Sequence, residues 1–309
     1  MTDLNQRCAD LPCHTGWYLK ALRTGATAHR HGHVVAPSAS TRQIAMLMAA
    51  LQAVHAGQLA LEQPVTTQAT DQHNDAGCVQ YLQPGFTLPV RDVRVMMLIV
   101  SDNTCTGTVV AMVGLDAMTA LSQAVGMQGT THRDGIPPAG LAGYRPAPET
   151  HATTPADVGR RLQRILQGAQ DAAVAAPLGS TPALCPLALD ILSWQRLRNR
   201  RPARVPLGTK VAQKAGTTAR HYHDAGMIDQ GDRPLFRLRA YTDEGPLDLP
   251  DGTPGHTAAH HLIAQMRRRC DDAWRVEGRH TVVAPPAGRG ESTSPLAYDW
   301  CVRGSCPRI

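Results

Sequence analysis

Ser40 stands at a helix mouth, a plausible place for a nucleophile. The stretch VAPSASTRQIAMLM reads as extended backbone arriving through Val34, Val35 and Ala36, then a turn at Pro37-Ser38. A helix follows in which Ile44, Leu47, Met48 and Leu51 recur at three- and four-residue spacing. A serine at such a helix mouth faces unpaired backbone N–H groups and the positive end of the helix dipole, both of which favour a developing negative charge. Ser38, Ser40 and Thr41 are equally ordinary N-cap residues. The stretch by itself therefore leaves two readings open, a helix cap and a nucleophile. A working nucleophile also needs a proton acceptor beside it, a donor for the leaving group and two N–H groups for an oxyanion. Ser101-Asp102-Asn103 and Lys214-Ala215-Gly216-Thr217 bring a hydroxyl, an amide and an ammonium that can serve such ends, and Lys214 is one of only three lysines, with Lys20 and Lys210.

These side chains need elements to hold them. Gly16 to Arg23 and His31 to Ala36 read as two short strands joined by a Gly-containing turn. The opening helix runs through Val54 and stops at Gly57, and a polar connection follows from Glu62 to Gly85. LPVRDVRVMMLIVSDN and LDAMTALSQAVG, the latter from Leu115 to Gly126, are helical blocks with apolar residues on more than one face, as suits burial in a helical subdomain. A Pro/Gly-rich loop runs from Thr130 to Thr154, long enough to border a site. TTPADVGRRLQRIL opens with Thr at the cap, Pro in the first turn and then Asp. PLALDILSWQRLRNR is a further helix ending before Pro202. Beyond it, VAQKAGTT, HYHDAGMID and PLFRLRAYTD alternate as three successive strands, and an amphipathic helix from about Gly255 to Trp274 presents Ala258, Leu262, Ile263, Met266 and Ala273 on one side. The expected fold class is α+β: one antiparallel sheet built from both chain ends and flanked by helices, plus an all-helical lobe. The expected division is an N-terminal segment, 1–15, a main domain, 16–275, and an irregular tail, 276–309. Within the main domain the α/β lobe takes 16–38 and 205–275, and the helical lobe 39–204.

Composition narrows the function. With 309 residues and 42% hydrophobic content, the chain can bury a sizeable core. No apolar run is long enough to span a bilayer, so no membrane span is expected. The first residues lack a basic start followed by an apolar stretch, so no secretory leader is visible; the protein is expected in the cytoplasm, or exported with a leader removed. Net charge is +6, yet two Phe, six Tyr and four Trp form no aromatic-studded basic stripe, so nucleic acid is not an expected partner. The arginine clusters at Arg196 to Arg204 and Arg267 to Arg269 read as solvated faces. Eight cysteines are many. Cys8 and Cys13 share their spacing with Cys301 and Cys306, which leaves disulfides, a four-thiolate metal site and free thiols all open, while Cys78, Cys105, Cys185 and Cys270 read as small core residues.

Taken in order, Ser40-Thr41-Arg42-Gln43, Ser101-Asp102-Asn103 and Lys214-Ala215-Gly216-Thr217 line up with the S-x-x-K, S-D-N and K-T-G pattern of class A β-lactamases and penicillin-binding proteins, the first and third with a substitution. The chain resembles that serine β-lactamase and penicillin-binding family from about Gly16 to Arg275. The resemblance extends to GFTLPVRDVRVMMLIVSDNTCTGTVVAMVGLDAMTALSQAVGMQGT, ALDILSWQRLRNRRPARVPLGTKVAQKAGT and HYHDAGMI. It implies a β-lactamase/transpeptidase-like fold with Ser40 as nucleophile. Its own N–H and that of Thr217 would form the oxyanion pair, and Ser101 would relay a proton to the leaving nitrogen. Lys214 would lend positive charge for a substrate carboxylate and bias Ser101. Asn103, Gly216, Thr217 and Thr218 are implied in substrate binding, with Asp102 holding the loop. No cofactor and no metal are implied, and the partner is a small-molecule or peptide-like substrate bearing a carboxylate.

The departures from the pattern matter as much. Gln43 occupies the place of the family's lysine, and an amide cannot accept a proton at neutral pH. Arg42 beside it stays charged. Ala215 replaces Thr or Ser, Gly107 replaces an Asn, and the loop from Thr130 to Thr154 lacks the Glu-x-x-Leu-Asn run. Neither Asp134 nor Glu149 falls on the water-activating glutamate by any motif. General base catalysis alone contributes ~10²–10⁴-fold, so efficient penicillin hydrolysis is not expected. His31, His33, His73, His132, His151, His221 and His223 are the available substitutes, and His221-x-His223 offers two metal ligands without an identifiable third. The expected function is a serine hydrolase or acyltransferase acting on an amide, lactam or ester through Ser40 with atypical activation. The alternative is a catalytically disabled relative that binds a carboxylate-bearing ligand or a partner.

Overall fold

The structure is a computed structural model. It describes residues 2–22, 24–69, 72, 76–133, 135, 150–205, 210–230 and 233–277, with side chains set aside at 2–3, 228–237 and 269–277. A short helix α1 (Thr2–Ala9) leads into strands β1 (His14–Ala21), β2 (Thr27–Arg30) and β3 (Ala36–Pro37). A 3-10 turn, Ala39–Arg42, enters α2 (Gln43–His55). Strands β4 (Pro64–Thr66) and β5 (Thr87–Pro89) form a small hairpin before α3 (Val90–Ile99), α4 (Asn103–Val113) and α5 (Leu115–Ala124). Then come β6 (Ala152–Thr153), α6 (Pro155–Gly168), α7 (Ala172–Ala175) and α8 (Leu184–Ser193). Strands β7 (Val211–Thr217), β8 (Tyr222–Gln230) and β9 (Arg233–Asp243) precede the long helix α9 (Gly255–Glu277). The chain divides into a compact unit, Met1–Arg269, and a second, Cys270–Ile309, of which only the close of α9 is described.

The principal sheet has the order β2-β1-β9-β8-β7, with every described pairing antiparallel, so it is built from both chain ends as the alternation implied. Helices α6 and α8 pack on it, α6 against β1, β8 and β9 and α8 against β7. Helix α2 organises the other half. Its sequence carries no charge apart from His55, and every residue from Gln43 to Leu51 is buried, as befits a helix surrounded by α3, α4, α5 and α8. Ile44, Leu47, Met48 and Leu51 are almost wholly inaccessible, and each such side chain stabilises the fold by roughly 1.5–3 kcal/mol. The helix stops as expected. Gly57 takes φ +71, its N–H returns to Val54 O and that of Gln58 to Ala53 O, which satisfies the last carbonyls. The Thr154 start signal also holds, since its hydroxyl accepts from Asp157 N at 3.0 Å.

Several expectations need correction. The second strand lies at Thr27–Arg30, inside what reads as a turn, and His31 to Ala36 contributes only the first residue of β3. Helix α4 is absent from the sequence reading, helix α8 ends at Ser193 well short of Pro202, and α1 occupies the N-terminal segment, to which no element is assigned above. The arginine clusters are solvated only in part: Arg196, Arg204 and Arg268 are exposed, but Arg200, Arg201 and Arg267 are buried. Cys78 is exposed, not a core residue, whereas Cys105 and Cys185 are buried. Cys8 and Cys13 are free thiols, and Cys301 and Cys306 lie outside the described residues, as do Asp134, Glu149 and His73.

Candidate active site

The Ser40 turn is pinned from below before it reaches the helix. Ser38 N–H donates to His151 O at 2.9 Å, and Pro37 pairs with Ala152 in the β3–β6 ladder. Ala39 then takes φ +44, a left-handed conformation that costs a non-glycine residue free energy and persists only where the surroundings hold it. None of the three hydroxyls caps α2. Its N-cap is Arg42, with no side-chain cap bond; Thr41 Oγ1 turns back to Ser38 O and Ser38 Oγ reaches Ala39 O. Ser40, half-buried, makes no side-chain hydrogen bond to the described residues.

Strand β7 comes up against this turn. A Cβ built on Gly216 would stand 3.2 Å from each of Ser40 N, Ala39 Cβ and Thr41 Cγ2, so glycine lets the strand edge approach the serine's own N–H. Arg200 braces the same edge: it donates to Gly216 O at 2.7 Å, to His223 O and to Thr217 Oγ1 at 2.5 Å. Burial lowers the pKa of its guanidinium to about 10, and the group stays charged. Thr218 Oγ1 lies 2.6 Å from His221 Nδ1, whose Nε2 is 2.7 Å from Asp243 Oδ1.

A second corner carries Ser101, with φ +60, at the end of α3. Asp102 next to it caps α4 by accepting from Cys105 N and fixes the 78–79 backbone by accepting from Cys78 N and Val79 N at 2.8 Å each. Asn103 begins α4 half-exposed. One turn into the helix, Thr106 Oγ1 donates to Asp102 O at 2.6 Å. Its lone pairs are thereby left to accept from Gln43 Nε2 at 2.8 Å, which orients the amide: Oε1 faces the Ser101 hydroxyl at 3.4 Å. Lys214 Nζ closes the chain, 3.1 Å from Ser101 Oγ and 2.5 Å from Ala215 O. Lys214 is fully buried and makes no ion pair with the described residues. Burial first, then the Arg200 charge, lower its pKa to about 7, with Asp224 opposing.

The structure thus gathers Ser40, Gln43, Ser101, Lys214, Gly216, Thr217 and Thr218 around the β7 edge and the mouths of α2 and α4. The histidines are held elsewhere. His223 is buried with its Nε2 2.8 Å from Pro37 O, an acceptor, so that nitrogen carries the proton; burial and neighbouring cations keep the ring neutral. His132 meets Ser122 and is pushed down to about 3 by burial and by Arg161 and Arg42. His151 meets Arg42, His31 bonds Thr15 O, and His33 packs against Tyr18 and His29. Among the described residues no group of three or more His, Cys, Asp or Glu side chains is arranged to hold a metal, and His221 and His223 stack against each other instead. Sequence reading missed Arg200, Thr106 and Asp224. An arginine inside a run of arginines gives no sign that it is buried.

This fold is that of class A β-lactamases and PBP-A. PBP-A superposes with TM-score 0.75 at 23% identity over 89% of this chain and 95% of that one, and a β-lactamase from Sphaerobacter thermophilus does so with 0.75 at 23% over 91% and 97%. An ancestral class A β-lactamase gives 0.75 at 21% over 88% and 98%. A PBP-A variant is known as an acyl-enzyme complex with penicillin G. No curated protein matches in sequence. The model of the β-lactamase enzyme family matches residues 1–274, and the chain belongs to that family. Among the described residues no single helix is long and apolar enough to cross a membrane.

Proposed function

We propose that the protein is a serine hydrolase or acyltransferase that forms an acyl-enzyme at Ser40 from an amide, lactam or ester, with weak activity on ordinary penicillins. The observation that carries this reading is the Ser40 turn. A hydroxyl without a hydrogen-bond partner among the described residues follows a strained Ala39, and a glycine strand edge lies against its backbone N–H. Left-handed backbone at both Ala39 and Ser101, the two corners that carry candidate hydroxyls, fits a site whose geometry is maintained against a local cost. The expected oxyanion pair is Ser40 N–H with Thr217 N–H, and Asn103 is the expected contact for an acylamino group. The penicillin acyl-enzyme of the PBP-A variant supports the same chemistry on this scaffold.

The locked Gln43 amide favours the rival, a disabled relative that only binds. Intact-mass measurement after incubation with penicillins and with activated esters separates the two. An adduct that disappears in Ser40→Ala supports the enzyme. No adduct with any probe, together with saturable binding of a carboxylate ligand, sinks it in favour of the binder.

A further inference from the structure

We propose that Lys214, acting in its neutral form through Ser101, takes the Ser40 proton during acylation and so fills the vacancy left at Gln43; the inference rests on the acyl-enzyme reading above. Three features of geometry carry it. Gln43 cannot serve, because its Nε2 is committed to Thr106 and its Oε1 is an amide oxygen with negligible basicity. The two strand histidines cannot serve from where they stand, since His223 is committed to Pro37 O, and His221 to Thr218 and Asp243. Lys214 alone among these groups brings a titratable nitrogen to the Ser101 hydroxyl, which itself touches the residue one turn after Ser40.

The surroundings of Lys214 suit a lysine that releases its proton. From the segment before the 3-10 turn at Arg201, Arg200 presents a guanidinium; from β8, Asp224 presents a carboxylate already engaged by Arg201, and His223 presents a neutral ring. From the α3–α4 corner come the Ser101 hydroxyl and the Asp102 carboxylate, the latter occupied by three backbone N–H groups. From α2 comes only the Gln43 amide. Full burial beside one cation, without a carboxylate in ion-pair contact among the described residues, disfavours the ammonium, in keeping with a pKa of about 7. Bases poised near the working pH are the effective ones.

The proton bookkeeping closes without any added reactant. Neutral Lys214 accepts the Ser101 proton while Ser101 Oγ accepts that of Ser40. The Ser40 Oγ–C bond forms, and the carbonyl electron pair moves to oxygen. On collapse the bond to the leaving nitrogen or oxygen breaks, and that atom takes a proton back from Lys214 through Ser101. An ester on Ser40 and a neutral Lys214 remain. Charged Lys214 instead donates to Ser101, which then donates to Gln43 Oε1, and the chain runs the wrong way for activation.

The test uses p-nitrophenyl acetate, an activated ester without a carboxylate, so that Lys214 has no role in gripping the probe. Acylation of Ser40 is followed by intact mass across pH 5 to 9. The wild-type rate is expected to rise about tenfold per pH unit below a midpoint near 7 and to level above it. Lys214→Arg keeps the charge but cannot release its proton; it is expected to lower the plateau rate by ~10²-fold or more. Gln43→Lys/Lys214→Arg is expected to recover acylation, because an amine returns one turn after Ser40. A flat wild-type profile, or Lys214→Arg acylating within a few-fold of wild type, overturns the inference while leaving the acyl-enzyme intact. No Ser40 adduct at any pH overturns the acyl-enzyme reading itself. Thermal unfolding of Lys214→Arg checks the fold, and the wild-type profile decides if that variant does not fold.

Discussion

Arg201 and Lys214 are both fully buried near β8, and they are held in opposite ways. Arg201 NH2 lies 3.4 Å from Asp224 Oδ1, its own backbone N–H donates to Asp224 Oδ2 at 3.1 Å, and NH1 reaches Leu238 O. Lys214 has a hydroxyl and a carbonyl for partners and, among the described residues, no carboxylate in contact. A guanidinium keeps its proton, so a buried one must be met by acceptors, as Arg200 is by carbonyls, or by a counter-charge, as Arg201 is by Asp224. An ammonium has another way out, which is to become an amine. The compensated cation ties the sheet to the 200–204 turn. The uncompensated one sits where a proton has to move.

The largest expected effect comes from breaking the compensated pair. Asp224→Ala leaves Arg201 buried without its carboxylate and is expected to cost about 3–5 kcal/mol in urea unfolding. A loss below about 1 kcal/mol would mean that the pair is not what holds Arg201. On the other side, Gln43→Lys supplies an amine next to Ser101, and Ser40 acylation by an activated ester should rise ~10²-fold or more. An unchanged rate by intact mass would show that the corner has been rebuilt around the amide. The third effect is on pH dependence. Folded Lys214 sheds its proton near 7, whereas the unfolded chain keeps it to the usual 10.5. The unfolded state therefore binds more protons in that window, and stability gains from rising pH by up to roughly 1.4 kcal/mol per unit. Subtracting the Lys214→Met curve should isolate this slope, and identical curves would contradict it. The smallest effect is at Thr106→Val, which deprives Gln43 of its acceptor and should cost about 1 kcal/mol in unfolding.

The parts of this fold that were legible are those in which one periodicity rules. The strands carrying Lys214, His223 and Leu238 form where the sequence placed them, and Thr154-Pro155 announces a helix that forms where expected. Helix α4 escaped because NTCTGTVVAMV mixes β-branched residues and a glycine, all poor helix formers, and is made helical by tertiary packing around its buried Thr104, Cys105, Thr106 and Val109. Its start signal, Asp102 at the cap, was visible but was absorbed into the motif that contains it. The 3-10 turn at Ser40 cannot be told from an α-helix over four residues by spacing alone. Within the site, the motifs located Ser40, Ser101 and Lys214. They could not reveal that Arg200 and Arg201 turn inward, since nothing local separates a buried arginine from a solvated one.

Glutamine and lysine codons differ by a single base, CAA against AAA and CAG against AAG. The Thr106 hydroxyl that now accepts from the Gln43 amide can accept from an ammonium in the same place, and the Ser101 hydroxyl already faces it. Little else at that corner has to move for the substitution to be accommodated. Under selection for faster acylation of Ser40, codon 43 is therefore the single-base route that this corner is already shaped to accept.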